Sequence, residues 1–156
     1  MPYISDTNEE KPKMTDIFTP EKRSWVMSRI RSKDTGIERK MCNLFRKHGL
    51  HYRRYPKVFG SPDFIVEKSV LVFCDGDFWH GYQYAKKKKP PKKFWRDKIE
   101  RNMERDRKVT RRLRADGCTV VRIWEHDIEK NHRSCLRRIK TILSNAKNPA
   151  PVFPRK

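Results

Sequence analysis

Cysteine is scarce in this sequence, and no two of its four cysteines form a Cys-x-x-Cys pair. They are Cys42, Cys74, Cys118 and Cys135. Isolated cysteines in a reducing compartment are usually small, buried apolar side chains. The five histidines are scattered too, so cysteine and histidine spacing alone predicts no metal site and disfavours a zinc site of several cysteines.

Long hydrophobic runs are also missing. No segment approaches the roughly 20 apolar residues that a membrane-spanning helix needs. The segment from Met1 to Lys13 contains Glu9 and Glu10 and no apolar stretch, which is untypical of a signal peptide. We therefore expect a cytoplasmic protein without a membrane partner.

Acidic residues are in the minority: 19 Asp and Glu face 39 Lys and Arg, which leaves a formal net charge of +20. Such a charge exceeds what solubility requires and indicates a polyanionic partner. With a membrane disfavoured, nucleic acid remains, and the protein is expected to be DNA-associated. A non-catalytic basic nucleic-acid-binding module would explain the charge equally well. The length of 156 residues suits one domain.

Local composition divides the chain into three parts. Residues 1–18 are polar without an apolar period and are predicted to form a mobile arm. The folded domain is predicted over residues 19–145, followed by an irregular tail over 146–156. Within the domain, the basic and proline-interrupted segment AKKKKPPKK at 85–93 favours neither helix nor strand. It is either a solvated charge run or a phosphate-contacting loop.

Periodicity predicts the elements of the domain. Thr19 is placed as the N-cap of a short basic helix that has Pro20 at its first position. Further helices are predicted over 37–48, 94–114 and 135–143, and strands over 51–55, 63–66, 70–73 and 118–124. This order predicts a three-layer α/β domain with a mixed central β-sheet flanked by helices.

Two acidic positions border neighbouring predicted strands. Asp63 opens one strand after a proline turn, and the strand VLVF ends in Cys74-Asp75-Gly76-Asp77. If the two strands are adjacent, Asp63 and a backbone carbonyl or a second carboxylate can together hold a hard cation, and magnesium prefers such oxygen ligands. Each acid could instead terminate an ordinary turn.

A histidine and a third acid complete the candidate site. His80 follows the acidic stretch by a few residues, and an imidazole can give and take protons near neutral pH. On the long helix, Asp106 falls on the apolar stripe with Ile99 and Leu113, where an unpaired carboxylate is costly. It should therefore meet a cation, a metal-bound water or an imidazole, with His80 as the natural partner. The alternative is an ion pair within its own helix.

The chain resembles the very-short-patch (Vsr) mismatch endonucleases from about residue 18 to 143. The resemblance rests on Asp63, on FCDGDFWH, on FW-R-D-K-I-x-R-N-M-E-R-D and on VVRIWE, which occur in this order. It implies a restriction-endonuclease-like fold whose strand-borne acids bind magnesium. From the residues alone, Glu38 is only a favourable charge in the first turn of its helix.

The resemblance also implies roles for the candidate residues. Asp63 would be the metal-bridging acid and His80 the general acid/base, with Asp106 beside it and Glu38 ordering metal-bound water. A main-chain carbonyl at Cys74 would complete the metal site. Where the family pattern has a histidine, this chain has Asp75, which adds a possible direct metal ligand.

Contacts with DNA are implied in the same way. Phe78, Trp79 and Trp95 occupy positions at which the family wedges aromatic side chains into the base stack, and ordinary core packing is the alternative. Lys98 and Asn102 match the pair that reads a mispaired thymine and guanine. In the N-terminal helix, Met27 and Ile30 match residues that enter the opposite groove.

The sequence departs from the family pattern at the structural zinc site. In place of cysteines and a histidine it has Asp77, Tyr82, Tyr84 and His126. Tyrosines are poor zinc ligands, so we expect zinc to be absent and the region to be held by aromatic packing.

We therefore expect a monomeric, magnesium-dependent endonuclease that nicks one strand of double-stranded DNA beside a T:G mismatch and leaves 5′-phosphate and 3′-hydroxyl ends. Two alternatives remain open from the sequence. One is a homing or restriction-type nuclease that cuts both strands, and the other is the non-catalytic binding module.

Overall fold

A computed structural model describes residues 19–87, 92–145 and 153–155 of the chain. Two compact units are present, Met1–Ser32 and Lys33–Lys156. In the first, the helix α1 (Pro20–Arg29) begins as predicted, because Thr19 Oγ1 accepts a hydrogen bond from the Lys22 N–H at 3.2 Å. Every residue of α1 is described, and none of them is fully buried. The arm predicted over 1–18 lies outside the described residues.

The second unit is built on a mixed four-stranded sheet in the order β1-β2-β3-β4. β1 through β3 pair in antiparallel fashion, and β4 pairs with β3 in parallel. The elements are α2 (Gly36–Lys47), β1 (Tyr52–Arg54), β2 (Phe64–Val66), β3 (Val70–Asp75), α3 (Lys93–Ala115), β4 (Thr119–Trp124), α4 (Glu125–Lys130) and α5 (His132–Asn145). The predicted α/β fold with a mixed sheet is confirmed.

Helices cover both faces of the sheet. The first face packs against α2, α4 and α5 through an apolar cluster that includes Phe45, Phe64 and Ile139. The second face packs against α3 through a smaller cluster that includes Leu71, Phe73 and Leu113. Because successive side chains of a strand point to opposite faces, β3 contributes to both clusters. Its last residue, Asp75, follows the alternation onto the second face.

α3 is the crossover that a parallel β3–β4 pair requires. Two glycines let loops approach this helix closely. A Cβ on Gly81, whose φ is +75°, would lie 2.4 Å from the Met103 sulfur, and a Cβ on Gly60 would lie 2.3 Å from Val109 Cγ1. The loop that carries His80 therefore rests against α3 only because residue 81 has no side chain.

Several boundaries differ from the predictions. The short helix α4 was missed because six residues show little more than one turn of period. The expectation that the basic segment 85–93 forms no helix is wrong at both of its ends, because a turn of 3-10 helix covers Tyr84–Lys86 and α3 begins at Lys93; residues 88–91 lie outside the described part. In the predicted tail, only 153–155 are described; Phe153 packs on the second cluster, and the Pro154 carbonyl accepts from the Phe59 N–H at 2.8 Å. None of the described helices is long and apolar enough to cross a membrane.

Candidate active site

Asp63 stands at the entrance of β2 beside the end of β3. Its N–H donates to the Val72 carbonyl at 3.0 Å, and its carboxylate accepts from the Cys74 N–H at 2.7 Å. Burial raises the pKa of this carboxyl to about 7, and the neighbouring charges of Glu38 and Asp75 add to the effect, against the lowering by the Cys74 N–H and Arg122. Among the described residues, no other group donates a hydrogen bond to this carboxylate. It is therefore a buried acid whose charged form is disfavoured by its surroundings, and a nearby cation would favour that form.

Asp75, at the end of β3, is paired with an arginine from β4. Arg122 Nε lies 2.6 Å from Asp75 Oδ2, and Arg122 Nη2 lies 2.8 Å from Asp75 Oδ1. The same Nη2 is 3.1 Å from Asp106 Oδ1 on α3. One guanidinium thus joins two carboxylates that come from different elements.

The other oxygen of Asp106 contacts the histidine. His80 Nδ1 lies 2.5 Å from Asp106 Oδ2 and 3.5 Å from Asp75 Oδ1. Although burial raises the pKa of Asp106, the hydrogen bond with His80 and the charge of Arg122 hold it below its ordinary value. Asp106 is therefore an anionic acceptor, and His80 Nδ1 must be the donor. The contact expected from the apolar stripe is confirmed, whereas the rival intrahelical partner Arg105 is more distant at 3.5 Å.

This cluster can hold a metal ion in one of two ways. The Asp63 carboxylate and the main-chain carbonyl of Cys74 are hard oxygen ligands of the kind that magnesium prefers. The Cys74 thiol is no ligand for it, since burial raises the thiol's pKa further and keeps it neutral. Asp75, His80 and Asp106 also place one ligand atom each within 4.8 Å of one another. There, however, Arg122 already forms ion pairs with both acids.

Glu38 reaches the same region from the start of α2. Its N–H donates to Thr35 Oγ1 at 3.3 Å, so the helix-start role read from the sequence is present. The side chain is buried and accepts hydrogen bonds from the Tyr55 hydroxyl and from Arg54 Nη2, the latter at 3.3 Å. Its charge is close enough to raise the pKa of Asp63. Glu38 thus belongs to the acidic cluster as well as to the helix cap.

A row of aromatic rings, Phe78, Trp79, Trp95 and Phe94, lies beside His80. Successive ring centroids are 4.8, 5.7 and 4.9 Å apart, all edge-to-face. The end members Phe78 and Phe94 are 41% and 42% exposed, so the row is not ordinary core packing.

Two polar residues of α3 contact the middle of this row. Lys98 Nζ lies 5.3 Å from the centre of the Trp79 ring, and Asn102 Nδ2 donates to the Trp79 carbonyl at 3.0 Å. Met27, which is half-buried, and Ile30, which is exposed, belong to the first unit and are described with it alone.

Comparison with known proteins decides the family. The family model described as DNA mismatch endonuclease Vsr matches residues 15–86. A type II nicking enzyme of Neisseria meningitidis serogroup C is 40% identical over 130 residues, which cover 80% of this chain and 88% of the relative. The DNA mismatch endonuclease Vsr of Escherichia coli (strain K12) is 35% identical over 116 residues, 72% of this chain and 74% of the relative.

The chain belongs to the Vsr DNA mismatch endonuclease family. A further relative, a type II nicking enzyme of Haemophilus parainfluenzae, is 37% identical over 122 residues, 74% of this chain and 86% of the relative. The chain is therefore a DNA endonuclease with DNA as its substrate, and the resemblance inferred from FCDGDFWH and its companion motifs is confirmed.

At the positions of the Vsr family's structural zinc, the side chains bind one another. Asp77 Oδ1 lies 2.8 Å from His126 Nδ1, and the rings of Tyr82 and His126 are 4.0 Å apart. The Tyr84 hydroxyl turns away and donates to Glu100 at 2.8 Å. One carboxylate, one imidazole and two phenols in these contacts do not form the tetrahedral nitrogen and sulfur set of a structural zinc site.

Sequence reasoning missed three residues of this Vsr-family site: Arg122, Arg54 and Tyr55. Arg122 had a usable signal, because it is the one charged residue in the apolar strand TVVRIW, and a charge within a buried strand requires a partner. Arg54 and Tyr55 had no such signal. They stand at the end of an edge strand, where polar residues are ordinary.

Proposed function

We propose that this Vsr-family endonuclease is magnesium-dependent and nicks one strand of duplex DNA beside a T:G mismatch. The observation that carries the proposal is the buried Asp63 carboxyl, whose pKa is raised to about 7 in part by the charges of Glu38 and Asp75, in a unit that also contains the His80–Asp106 pair and a partly exposed aromatic row. Cleavage beside a distorted base pair requires acids that bind a metal, an oriented histidine, and flat apolar side chains that can insert between bases.

In this proposal Asp63 and the Cys74 carbonyl would hold the metal ion, and a bound Mg²⁺ would supply water activation and offset charge on the phosphate. The carboxylate of Asp106 holds His80 Nδ1, which leaves Nε2 as the nitrogen that moves a proton at the scissile phosphodiester. Glu38, fixed by Tyr55 and Arg54, orders water at the edge of the site. The products are a 5′-phosphate and a 3′-hydroxyl.

Asp75 was expected to add a direct metal ligand. Its two oxygens are held at 2.6 and 2.8 Å by Arg122, so a metal would have to displace a bidentate ion pair. We therefore favour a role for Asp75 through Arg122 over direct ligation.

Recognition of the lesion would use the aromatic row and α3. Phe78, Trp79 and Trp95 would wedge into the base stack, each with a flat face that can stack on a base at about 1–3 kcal/mol. Lys98 and Asn102 would read the edges of the mispair. From the other unit, Met27 and Ile30 would contact the opposite groove.

One site per chain agrees with single-strand cleavage by a monomer. The names of the relatives, nicking enzymes and a mismatch endonuclease, point the same way. Cleavage of both strands would require a second site, and therefore a dimer or a second chain.

The test uses two end-labelled duplexes, one with a single T:G mismatch and one fully paired, each with magnesium or with chelator. We expect a magnesium-dependent nick on the thymine strand of the mismatched duplex alone. Equal cutting of both duplexes would favour a restriction or homing activity. Binding without cutting in any lane would favour a non-catalytic module.

Two variants tie the activity to the site. Asp63→Asn and His80→Ala should abolish nicking while binding of DNA persists, because charge-driven affinity and acid-driven chemistry use different residues. Asp116→Asn, in an ion pair with Arg112, and His51→Ala, at a 91% exposed side chain, are matched controls outside the cluster. If both site variants cut as well as the controls, the assigned site is wrong.

Selectivity has a separate test. The double substitution Lys98→Ala with Asn102→Ala should reduce the preference for mismatched over paired DNA, because both side chains contact Trp79 in the aromatic row. Equal losses on the two duplexes would exclude a role in reading the mispair.

A further inference from the structure

On the second face of the sheet, a partly buried arginine, Arg122, lies among acidic side chains. Arg122 is 19% exposed at its side chain and points from β4 into the space between the sheet and α3. Each nitrogen of its guanidinium is engaged: Nε and Nη2 with Asp75, Nη2 also with Asp106, and Nη1 with Thr110 Oγ1 at 3.3 Å. The guanidinium carbon Cζ lies 4.5 Å from the centre of the Phe73 ring. Its orientation is therefore determined from several sides.

These contacts form a chain that ends on the histidine. Arg122 holds Oδ1 of Asp106, and Oδ2 of the same carboxylate holds His80 Nδ1. A carboxylate on a helix side chain can rotate, so one fixed oxygen determines where the other lies. We infer that Arg122, anchored by Asp75, is a positioning residue that sets the orientation of the Asp106–His80 pair. The inference rests on the proposed role of His80.

A lysine would not serve equally well at position 122. A guanidinium offers planar, forked donors that bind two carboxylates at once, whereas an ammonium group is a single flexible point charge. The bidentate contact with Asp75 places the same Nη2 3.1 Å from Asp106 Oδ1, where the two groups form an ion pair. It is this geometry, rather than the charge alone, that the inference requires.

The experiment compares Arg122→Met with the wild-type chain. We expect single-turnover nicking of the mismatched duplex to fall about 10- to 100-fold, as when partners of a reacting histidine are removed. Arg112→Met is the matched control, because Arg112 is a 65% exposed arginine of α3 whose loss changes the net charge equally. DNA binding should be alike in the two variants.

A second measurement does not depend on cleavage. Nitrogen-15 NMR of the metal-free, DNA-free chain shows which ring nitrogen of His80 carries the proton. In the wild type we expect the proton on Nδ1, held by Asp106, and in Arg122→Met a shift of population toward Nε2. If the proton stays on Nδ1 and the nicking rate is unchanged, Arg122 does not position the pair.

Neutralisation of Asp75 is the competing explanation. If Arg122 only compensates that charge, the double variant Asp75→Asn with Arg122→Met should recover the wild-type rate and the Nδ1 proton, which would overturn the inference. Failure to recover supports it. Should Arg122→Met not fold, Arg122→Lys keeps the charge without the fork, and wild-type behaviour of that variant in both assays would equally overturn it.

The NMR outcome separates this inference from the proposed function. If the wild-type chain shows no T:G activity but the His80 proton shifts in Arg122→Met, the positioning role of Arg122 stands and the proposed function fails. If the wild-type chain is active but the His80 proton does not shift in Arg122→Met, the proposed function stands and the positioning role fails.

Discussion

The two faces of the sheet differ in what they carry. On the first face, β3 places Val70 and Val72 into an apolar cluster closed by three helices. On the second, Leu71 and Phe73 are apolar, but the alternation ends on Asp75 beside Arg122. The same strands therefore hold the core on one side and the candidate chemistry on the other. Loss of a core side chain on the first face should lower stability, whereas removal of the Asp63 charge on the second face should raise the stability of the metal-free chain.

The largest effect is expected on the first face. Phe45 is fully buried and packs edge-to-face on Phe64 with ring centroids 5.4 Å apart. Phe45→Ala should lower the free energy of unfolding by about 3–5 kcal/mol through lost burial and a cavity. Urea denaturation measures this. Phe59→Ala, at a 37% exposed ring, is the control; equal losses in the two would contradict the assigned core.

On the second face, removal of a charge should stabilise the metal-free chain. The pKa of Asp63 is raised to about 7, above its unfolded value, so its contribution is fully present below the unfolded pKa and is lost as pH rises through 7. Asp63→Asn should therefore be more stable than the wild type at pH 8, by up to about 4 kcal/mol from a shift of about three units. The gain should vanish near pH 4.

Thermal unfolding over a pH series measures this difference, with Asp116→Asn as the control. Added magnesium should stabilise the wild type and leave Asp63→Asn unchanged. If Asp63→Asn is less stable than the wild type at pH 8, the charged Asp63 carboxylate does not destabilise the folded chain, and the prediction is wrong.

A smaller effect is expected where the tail meets the second face. Phe153 is half-buried against the second cluster, next to the hydrogen bond between Pro154 and Phe59. Phe153→Ala should cost about 1–2 kcal/mol of stability, less than a fully buried phenylalanine. Chemical denaturation measures it, and Arg155→Ala, at an exposed neighbour, should be neutral. If Phe153→Ala leaves the stability unchanged, Phe153 does not contribute to the second cluster.

The smallest effect concerns the contacts at the zinc positions. Asp77→Ala removes the hydrogen bond to His126 and should cost about 1 kcal/mol. A strong zinc chelator should leave the melting temperature of the purified wild type unchanged, and elemental analysis should find no stoichiometric zinc. A chelator-sensitive melting temperature would show that the tyrosine-containing site binds metal after all.

Much of the fold could be predicted from the local sequence. The Thr19–Pro20 helix start, the long helix and the strand TVVRIW follow from capping and periodicity, which depend on neighbours within a few residues. The helix α4 was missed because its six residues are too few to show a period. The placement of Asp106 on an apolar stripe was enough to predict its contact with His80.

The candidate site could be predicted from the sequence only in part. Asp63, His80 and Asp106 were found from acids at strand ends and from one misplaced carboxylate, and their catalytic roles remain proposals. Arg122 was not identified from the sequence, and its ion pair with Asp75 was not predicted, because the two residues lie 47 positions apart in the chain. That Asp75 is a metal ligand stays a prediction.

The sequence by itself determined the elements, the basic character and the family, because capping, periodicity, charge and motif order are properties of neighbouring residues or of composition. Only the tertiary structure decided which charges meet. The parallel register pairs Phe73 with Arg122 and Asp75 with Trp124, and α3 crosses above them. Together these bring Arg122 between Asp75 and Asp106, because side-chain partners across a sheet are set by strand pairing over long separations.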